Sequence, residues 1–190
     1  VSPELFFRLD GDHICMEPMK GTAPRGLSPE ADIENEQMLR TSLKDQAENL
    51  MIVDMIRNDL GRIATPGSIR VTELFKLQPL PTVWQQTSTI TADSKASLQE
   101  IFKALFPCAS ITGAPKHRTM EIIKELESEP RGPYTGAIGY LHGPRSMRFS
   151  VGIRTLILTP DGQAKFGVGS GVVWESTGPG EWQESLDKAK

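Results

Sequence analysis

The stretch that most constrains the fold is a helical pattern running from Ser28 to Gly61. Ser28-Pro29-Glu30 places a serine at the cap and a proline at the first helical position. Leu39, Leu43, Leu50, Val53 and Ile56 carry the apolar spacing, and Gly61 after Asn58-Asp-Leu is a stop. This run exceeds an ordinary globular helix, so the alternative to one long helix is a kink or break near Thr41-Ser42. Its surroundings are β-prone. Leu5 to Leu9 and His13 to Met16 read as a hairpin around the turn Asp10-Gly11-Asp12. Gly67 to Leu77 and Thr82 to Ala92 read as further strands, while Pro18 to Gly26 reads as a Pro/Gly-punctuated loop.

The second half repeats the mixture. Lys95 to Leu105 is an amphipathic helix with Leu98, Ile101, Phe102 and Leu105 inward. A loop holding Thr112 and Gly113 leads through Ala114-Pro115 into a helix to Leu126, with Met120, Ile122, Ile123 and Leu126 at core positions. Such a loop offers free N–H groups and a positive dipole end to an anion; an ordinary loop-to-helix junction is the alternative. Tyr134 to Leu141, Ser146 to Leu158 and Gln163 to Val168 read as an antiparallel meander. Gly167 to Gly171 is a small-residue run where backbone can approach a ligand, or a sheet bend. A helix starts at Pro179. The expected fold is α+β: two layers of largely antiparallel sheet flanked by helices, in one domain over residues 1–190.

Two carboxylate pairs stand three residues apart on different helices, Asp45 with Glu48 and Glu181 with Glu184. Each pair shares a helix face, and like charges there repel. A solvated face explains one pair; two pairs facing each other form a hard-oxygen site suited to Mg²⁺. Lys20, between small residues and near Arg25, is a candidate contact for an anionic ligand. The net charge of −3, with scattered Lys and Arg, gives no footprint for nucleic acid or an anionic membrane. No apolar run approaches the roughly 20 residues of a bilayer span, and no leader peptide is visible. Two cysteines form no metal motif or disulfide framework, so a reducing cytoplasm is the simplest context. The first residue is not Met, which suggests a piece of a longer protein.

Taken together, Ser2-Pro-Glu4, Pro18-Met-Lys-Gly-Thr22, Ala47-Glu-Asn-Leu-Met-Ile-Val-Asp54, Arg57-Asn-Asp-Leu-Gly61, Ile111-Thr-Gly-Ala-Pro-Lys116, Tyr134-Thr-Gly-Ala-Ile-Gly-Tyr140, Ile153-Arg-Thr155 and Gly169-Ser-Gly171 are specific. In this order they resemble the C-terminal part of the chorismate-utilising enzymes: anthranilate synthase component I, aminodeoxychorismate synthase component I, and the isochorismate and salicylate synthases. The resemblance covers essentially the whole chain. Relatives are over twice this length, which implies an incomplete sheet here.

Lys20 implies the aminodeoxychorismate synthase branch, where anthranilate synthases usually carry Ala. Val83 to Ser88 and Val172 to Glu175 resemble that branch too. The implied reaction makes 4-amino-4-deoxychorismate from chorismate and ammonia, for p-aminobenzoate and folate. A glutamine amidotransferase partner supplies the ammonia. Lys20 is the implied nucleophile, an amine that must be neutral to act, and Glu4 the implied general acid/base. Glu48 and Glu184 are the implied Mg²⁺ ligands, accompanied by Asp45 and Glu181. Tyr134 and Arg154 are implied to bind a substrate carboxylate, with Gly21, Thr22, Thr112, Gly113, Gly169 and Gly171 completing the cradle. Anthranilate synthase component I and a non-catalytic chorismate-binding fragment are the alternatives. The chain departs from many relatives at Gln85 (often His), Cys108-Ala109 (often Gly-Gly or Gly-Ala) and Asp45 (often Glu).

Overall fold

A computed structural model describes residues 2–174 and 176–189; Glu175, the end of the Val172 to Glu175 segment, lies outside them. Two helices replace the long helical run. Ser28 caps α1 (Pro29–Thr41), its hydroxyl accepting the Ala31 amide. Ser42 is extended (φ −68°, ψ 103°), ends α1 and caps α2 (Leu43–Leu60) by accepting the Asp45 amide. A serine that closes one helix and opens the next satisfies orphan groups of both.

The strands are β1 (Leu5–Asp10), β2 (His13–Glu17), β3 (Met19–Pro24), β4 (Arg70–Pro79), β5 (Val83–Asp93), β6 (Ala137–Gly143) and β7 (Ser146–Val151), all in one antiparallel sheet, with β8 (Leu156–Leu158) and β9 (Ala164–Phe166) as a separate ribbon. The long β5 organises the sheet. Its C-terminal half pairs with β2 and its N-terminal half with β3, while β4 lines its other edge. From β2 the sheet continues through β1 and β7 to β6.

Alternate residues of β5 face the helices. Ile90 and Ala92 pack in one cluster with Ile52, Val53, Ile56 and Leu60 of α2 and with Ile101, Ala104 and Leu105 of α3 (Leu98–Leu105). Full burial of one such Leu, Ile or Phe contributes roughly 1.5–3 kcal/mol. Phe7 stacks on Phe149 at 5.1 Å, and Phe102 meets Phe149 edge-on at 5.0 Å. This cluster anchors α3 and, through Phe106-Pro107, the 3-10 turn Ala109–Ile111. The described chain is α+β, as expected.

Three local expectations are corrected. Pro18 to Gly26 is not simply a loop: it contains β3, because β5 offers an open edge that low strand propensity does not prevent Met19–Pro24 from filling. The meander is interrupted at Gly152–Thr155, where Arg154 has φ +48°, so β8 and β9 pair only with each other. The apolar face of α4 (Lys116–Leu126) is not in the core: Ile122 and Leu126 are exposed and no residue of this helix is buried. The chain closes with α5 (Gly178–Lys188), capped by Thr177.

Candidate active site

A β-bulge presents Lys20. Met19 lies opposite Thr87 and Thr22 opposite Gln85, so Gln86 alone faces both Lys20 and Gly21. An extra residue of this kind bends a strand and re-aims its side chains. Gly21 supplies the left-handed φ of +83° that the bulge requires. Gln85 holds it in place: its Nε2 donates to the Gly21 carbonyl at 2.7 Å, and its Oε1 accepts from the Thr22 hydroxyl at 3.0 Å. The Lys20 Nζ then reaches across to the 3-10 turn and donates to the Ser110 carbonyl at 3.2 Å.

Glu4, just ahead of β1, arrives at the same turn. Its carbonyl accepts from the Val151 amide at 3.0 Å, fixing the backbone, and the side chain is buried. Burial pushes the carboxyl pKa up, partly offset by a hydrogen bond from the Ser110 hydroxyl and by the Lys20 charge. Its Oε1 has no hydrogen-bond partner among the described residues. The Cys108 Sγ lies 3.2 Å from the Ser110 Oγ, and burial, reinforced by Glu4, pushes that thiol up to about 12. An amine and a buried carboxyl of raised pKa therefore meet at one turn.

Beyond Lys20 lie the acidic pairs. Glu48 is raised chiefly by burial; Lys20 and Lys44 pull it down, and Asp45 and Glu184 push it up again. Asp45 and Glu48 on α2 thus share one electrostatic neighbourhood with Glu184 on α5. Lys44 lies 3.9 Å from Glu48, and Lys188 pairs with Glu184 at 2.6 Å while donating to the Gly169 carbonyl at 3.1 Å. The Ser170 and Ser176 hydroxyls lead in holding Glu181 below the ordinary carboxylate range. Among the described residues, no three His, Cys, Asp or Glu side chains are drawn together as a metal-binding group. The donor chemistry nonetheless suits a hard divalent cation: carboxylate oxygens only, on two helices, with mutual repulsion that such an ion would relieve.

The expected substrate-binding residues divide. Tyr134 meets the glycine run directly. A Cβ at Gly167 would lie 2.4 Å from its ring, and one at Gly169 3.1 Å from its hydroxyl, so the ring fits only because those positions lack side chains. Arg131 sits 5.9 Å over the same ring and chelates Glu127. The Thr112 hydroxyl turns inward, donating to the Cys108 and Ala109 carbonyls, and half-buried Gly113 (φ +138°) follows it in that loop. Arg154 is exposed at the break after β7, and Gly171 is exposed beyond the glycine run.

No sequence signal marks Ser110, whose carbonyl accepts from Lys20, although it sits inside the loop that reads as an anion site. Sequence reasoning also passed over Gln86 and Asn49, both fully buried, with Asn49 accepting from Ser88 at 2.5 Å. Two adjacent glutamines in a β-prone run were the available signal. The Asp59–Lys116 pair, at 2.5 Å, ties the end of α2 to the start of α4 and was likewise unseen.

With this geometry in hand, the comparisons are direct. The chorismate binding enzyme family matches residues 1–190. Aminodeoxychorismate synthase component 1 of Salmonella typhimurium is 49% identical over 190 residues, covering 99% of this chain and 42% of that protein. Anthranilate synthase component 1 3 of Haloarcula marismortui is 41% identical over 192 residues, covering 100% of this chain and 38% of its own length. The crystal structure of anthranilate synthase component I from Streptococcus pneumoniae superposes with a TM-score of 0.88 at 34% identity, over 99% of this chain and 41% of that one. The chain spans about two fifths of these relatives' length.

Proposed function

The chain belongs to the chorismate binding enzyme family, and from that premise we propose that it carries the reacting residues of an aminodeoxychorismate synthase component I. The observation that carries this reading is the Lys20 bulge: an amine held between a buried carboxyl and an acidic helix end. In the proposed reaction the neutral Lys20 amine attacks C2 of chorismate. The C2–N bond forms as the ring double bonds shift and the C4–O bond breaks. Glu4, whose carboxyl pKa burial raises, gives its proton to the departing hydroxyl, which leaves as water. Ammonia then adds at C4, the C2–N bond breaks, and 4-amino-4-deoxychorismate departs, regenerating the amine.

Glu48 and Glu184, with Asp45 and Glu181, would hold Mg²⁺, whose chemistry is to neutralise the substrate carboxylate. Tyr134 and the Gly167–Gly171 backbone shape the wall against which the substrate lies, and Gly113 offers its backbone from the other side. A glutamine amidotransferase partner would supply ammonia. No helix among the described residues is long and apolar enough to cross a membrane.

The test is product analysis of the intact enzyme with chorismate, Mg²⁺ and ammonia. Aminodeoxychorismate is expected, with its formation sharply reduced in Lys20→Ala. Anthranilate as the main product would overturn the assignment, and undiminished turnover in Lys20→Ala would remove the nucleophile.

A further inference from the structure

We propose that Arg131 is a positioning residue whose guanidinium fixes the Tyr134 wall relative to the turn that receives Lys20. This rests on the reading above that Tyr134 lines the chorismate site.

The guanidinium meets three partners at once. Its Nη1 donates to the Ile111 carbonyl at 3.3 Å. Ile111 follows Ser110, whose own carbonyl accepts from Lys20 Nζ at 3.2 Å. The Arg131 Nε and Nη2 donate to the two Glu127 carboxylate oxygens at 2.8 and 2.6 Å. The Arg131 Cζ lies 5.9 Å from the centre of the Tyr134 ring, which in turn packs against the Gly167 and Gly169 backbone. One planar group therefore joins the residue that ends α4, the 3-10 turn and the wall.

Apolar packing does not set this spacing. No side chain from Lys116 to Tyr134 is buried. A cavity of about 430 Å³ opens between α4 and the turn, lined in part by Ile111, Thr112, Ile123, Glu127, Arg131 and Thr135. After Tyr134 the chain is held by the sheet side, the Thr135 amide donating to the Gly152 carbonyl at 2.7 Å. Before it, the Tyr134 amide donates to the Arg131 carbonyl at 3.2 Å, so the side chain that reaches the turn is rooted in the same bend as the ring.

The chemistry requires arginine. A guanidinium presents two parallel N–H bonds to a carboxylate, a further N–H in another direction and a flat face to a ring; an ammonium is a point charge and holds no such set of directions. Glu127 and the Ile111 carbonyl occupy the donors named above, so Arg131 acts through Tyr134 and not on the substrate. A wall displaced by about an ångström alters how bound substrate meets the reacting groups.

The experiment measures kcat, KM for chorismate and Tm in the intact enzyme for Arg131→Met, Arg131→Lys and Glu127→Gln. Arg131→Met is then repeated in Tyr134→Phe and Tyr134→Ala backgrounds. Arg131→Met should raise KM about tenfold and lower kcat by no more than about threefold. Arg131→Lys should recover little of this, and Glu127→Gln should fall between. In Tyr134→Phe, which keeps the ring, the Arg131→Met effect should persist. In Tyr134→Ala it should shrink to within about twofold, because the group it positions is gone.

A lowered Tm with KM unchanged overturns the proposal, since that is the mark of a merely structural contact. So does a full Arg131→Met effect in Tyr134→Ala. Should Arg131→Met fail to fold, Glu127→Gln in the same two backgrounds decides the question. An unchanged KM in Tyr134→Ala alone removes the underlying reading and the proposal with it, and is told apart because Arg131 is intact in that variant.

Discussion

Replacing Gly21 with alanine should damage stability and turnover together, and the structure gives the size of the effect. At φ +83° the residue occupies a conformation that costs an L-amino acid roughly 1–2 kcal/mol. The added Cβ would lie 3.0 Å from Asp45 Cβ, 3.0 Å from Leu39 Cδ1 and 3.1 Å from Asp45 Cγ. Relaxed carbon contacts stand at about 3.5–4.0 Å. Leu39 is buried at the end of α1 and Asp45 lies in the first turn of α2, so β3 and the α1–α2 junction must separate. Overpacking of this kind costs about 1–3 kcal/mol. The sum is roughly 2–5 kcal/mol, or a Tm lower by about 4–20 °C for a domain of this size. The same separation carries Lys20 away from Glu48, so kcat/KM should fall even well below the new Tm. Gly11→Ala is the control: φ is +57° and nothing lies within 4 Å of the added Cβ, leaving only the conformational cost and no loss of turnover. Scanning fluorimetry and steady-state kinetics on both variants decide the matter. A Gly21→Ala protein as stable and as active as Gly11→Ala would refute the claim that the bulge seats Lys20 against α2.

Three further outcomes follow from the same contacts. Arg25, the Gly26 amide and the Trp84 indole all donate to Asp32 and hold its carboxyl below the ordinary range. Because the folded pKa is the lower one, this contribution is present above about pH 4 and lost as pH falls below it. Urea midpoints should therefore show Asp32→Asn weaker than the parent at neutral pH and converging with it in acid; a gap that persists at low pH counts against the assignment. Gln86 is fully buried with neither amide atom partnered among the described residues, so Gln86→Met should stabilise the chain by about 1–3 kcal/mol, and a lower urea midpoint would contradict this. Lys116→Met should cost roughly 1–3 kcal/mol by stranding buried Asp59, and adding Asp59→Asn should recover part of it; strict additivity in that cycle would deny the pair any coupling.

The elements most legible in the sequence were those that carry their own punctuation. Ser28, Ser42 and Gly61 bounded α1 and α2, and Asp10-Gly11-Asp12 fixed the first hairpin, because capping and turn chemistry act over a few residues. β3 was hidden because its strand character comes from the edge of β5, a partner about sixty positions away that no local pattern names. The α4 face illustrates the reverse error: apolar spacing identified the helix but could not supply a neighbour for Ile122 and Leu126. Among the site residues, the two acidic pairs stand out by their spacing and Lys20 by its small neighbours, while Glu4 and the reactive role of Lys20 come only from family resemblance. Their arrangement is not legible there, since the Lys20 amine reaches the Ser110 carbonyl across 90 residues and Glu4 is fixed by the Val151 amide across a still longer span.

The bulge at Lys20-Gly21 also explains why β3 and α1 cannot be altered independently. Met19 sits opposite Thr87, and Ala23 opposite Trp84. Residues directly opposite in an antiparallel pair point the same way, and Thr87 and Trp84 are three apart, so they lie on opposite faces of β5. In an unbulged strand, Met19 and Ala23 would share a face. The extra residue moves Ala23 to the face where Trp84 reaches Asp32 of α1 and Ser88 reaches Asn49 of α2. Ala23 is buried there, and a small side chain lets the helices approach. One inserted residue therefore turns Lys20 toward the Ser110 turn and seats α1 and α2 on the sheet, bringing Glu48 into electrostatic reach of the lysine. Shifting β3 by one residue would undo both at once, because the reactive geometry and the helix packing are set by the same register.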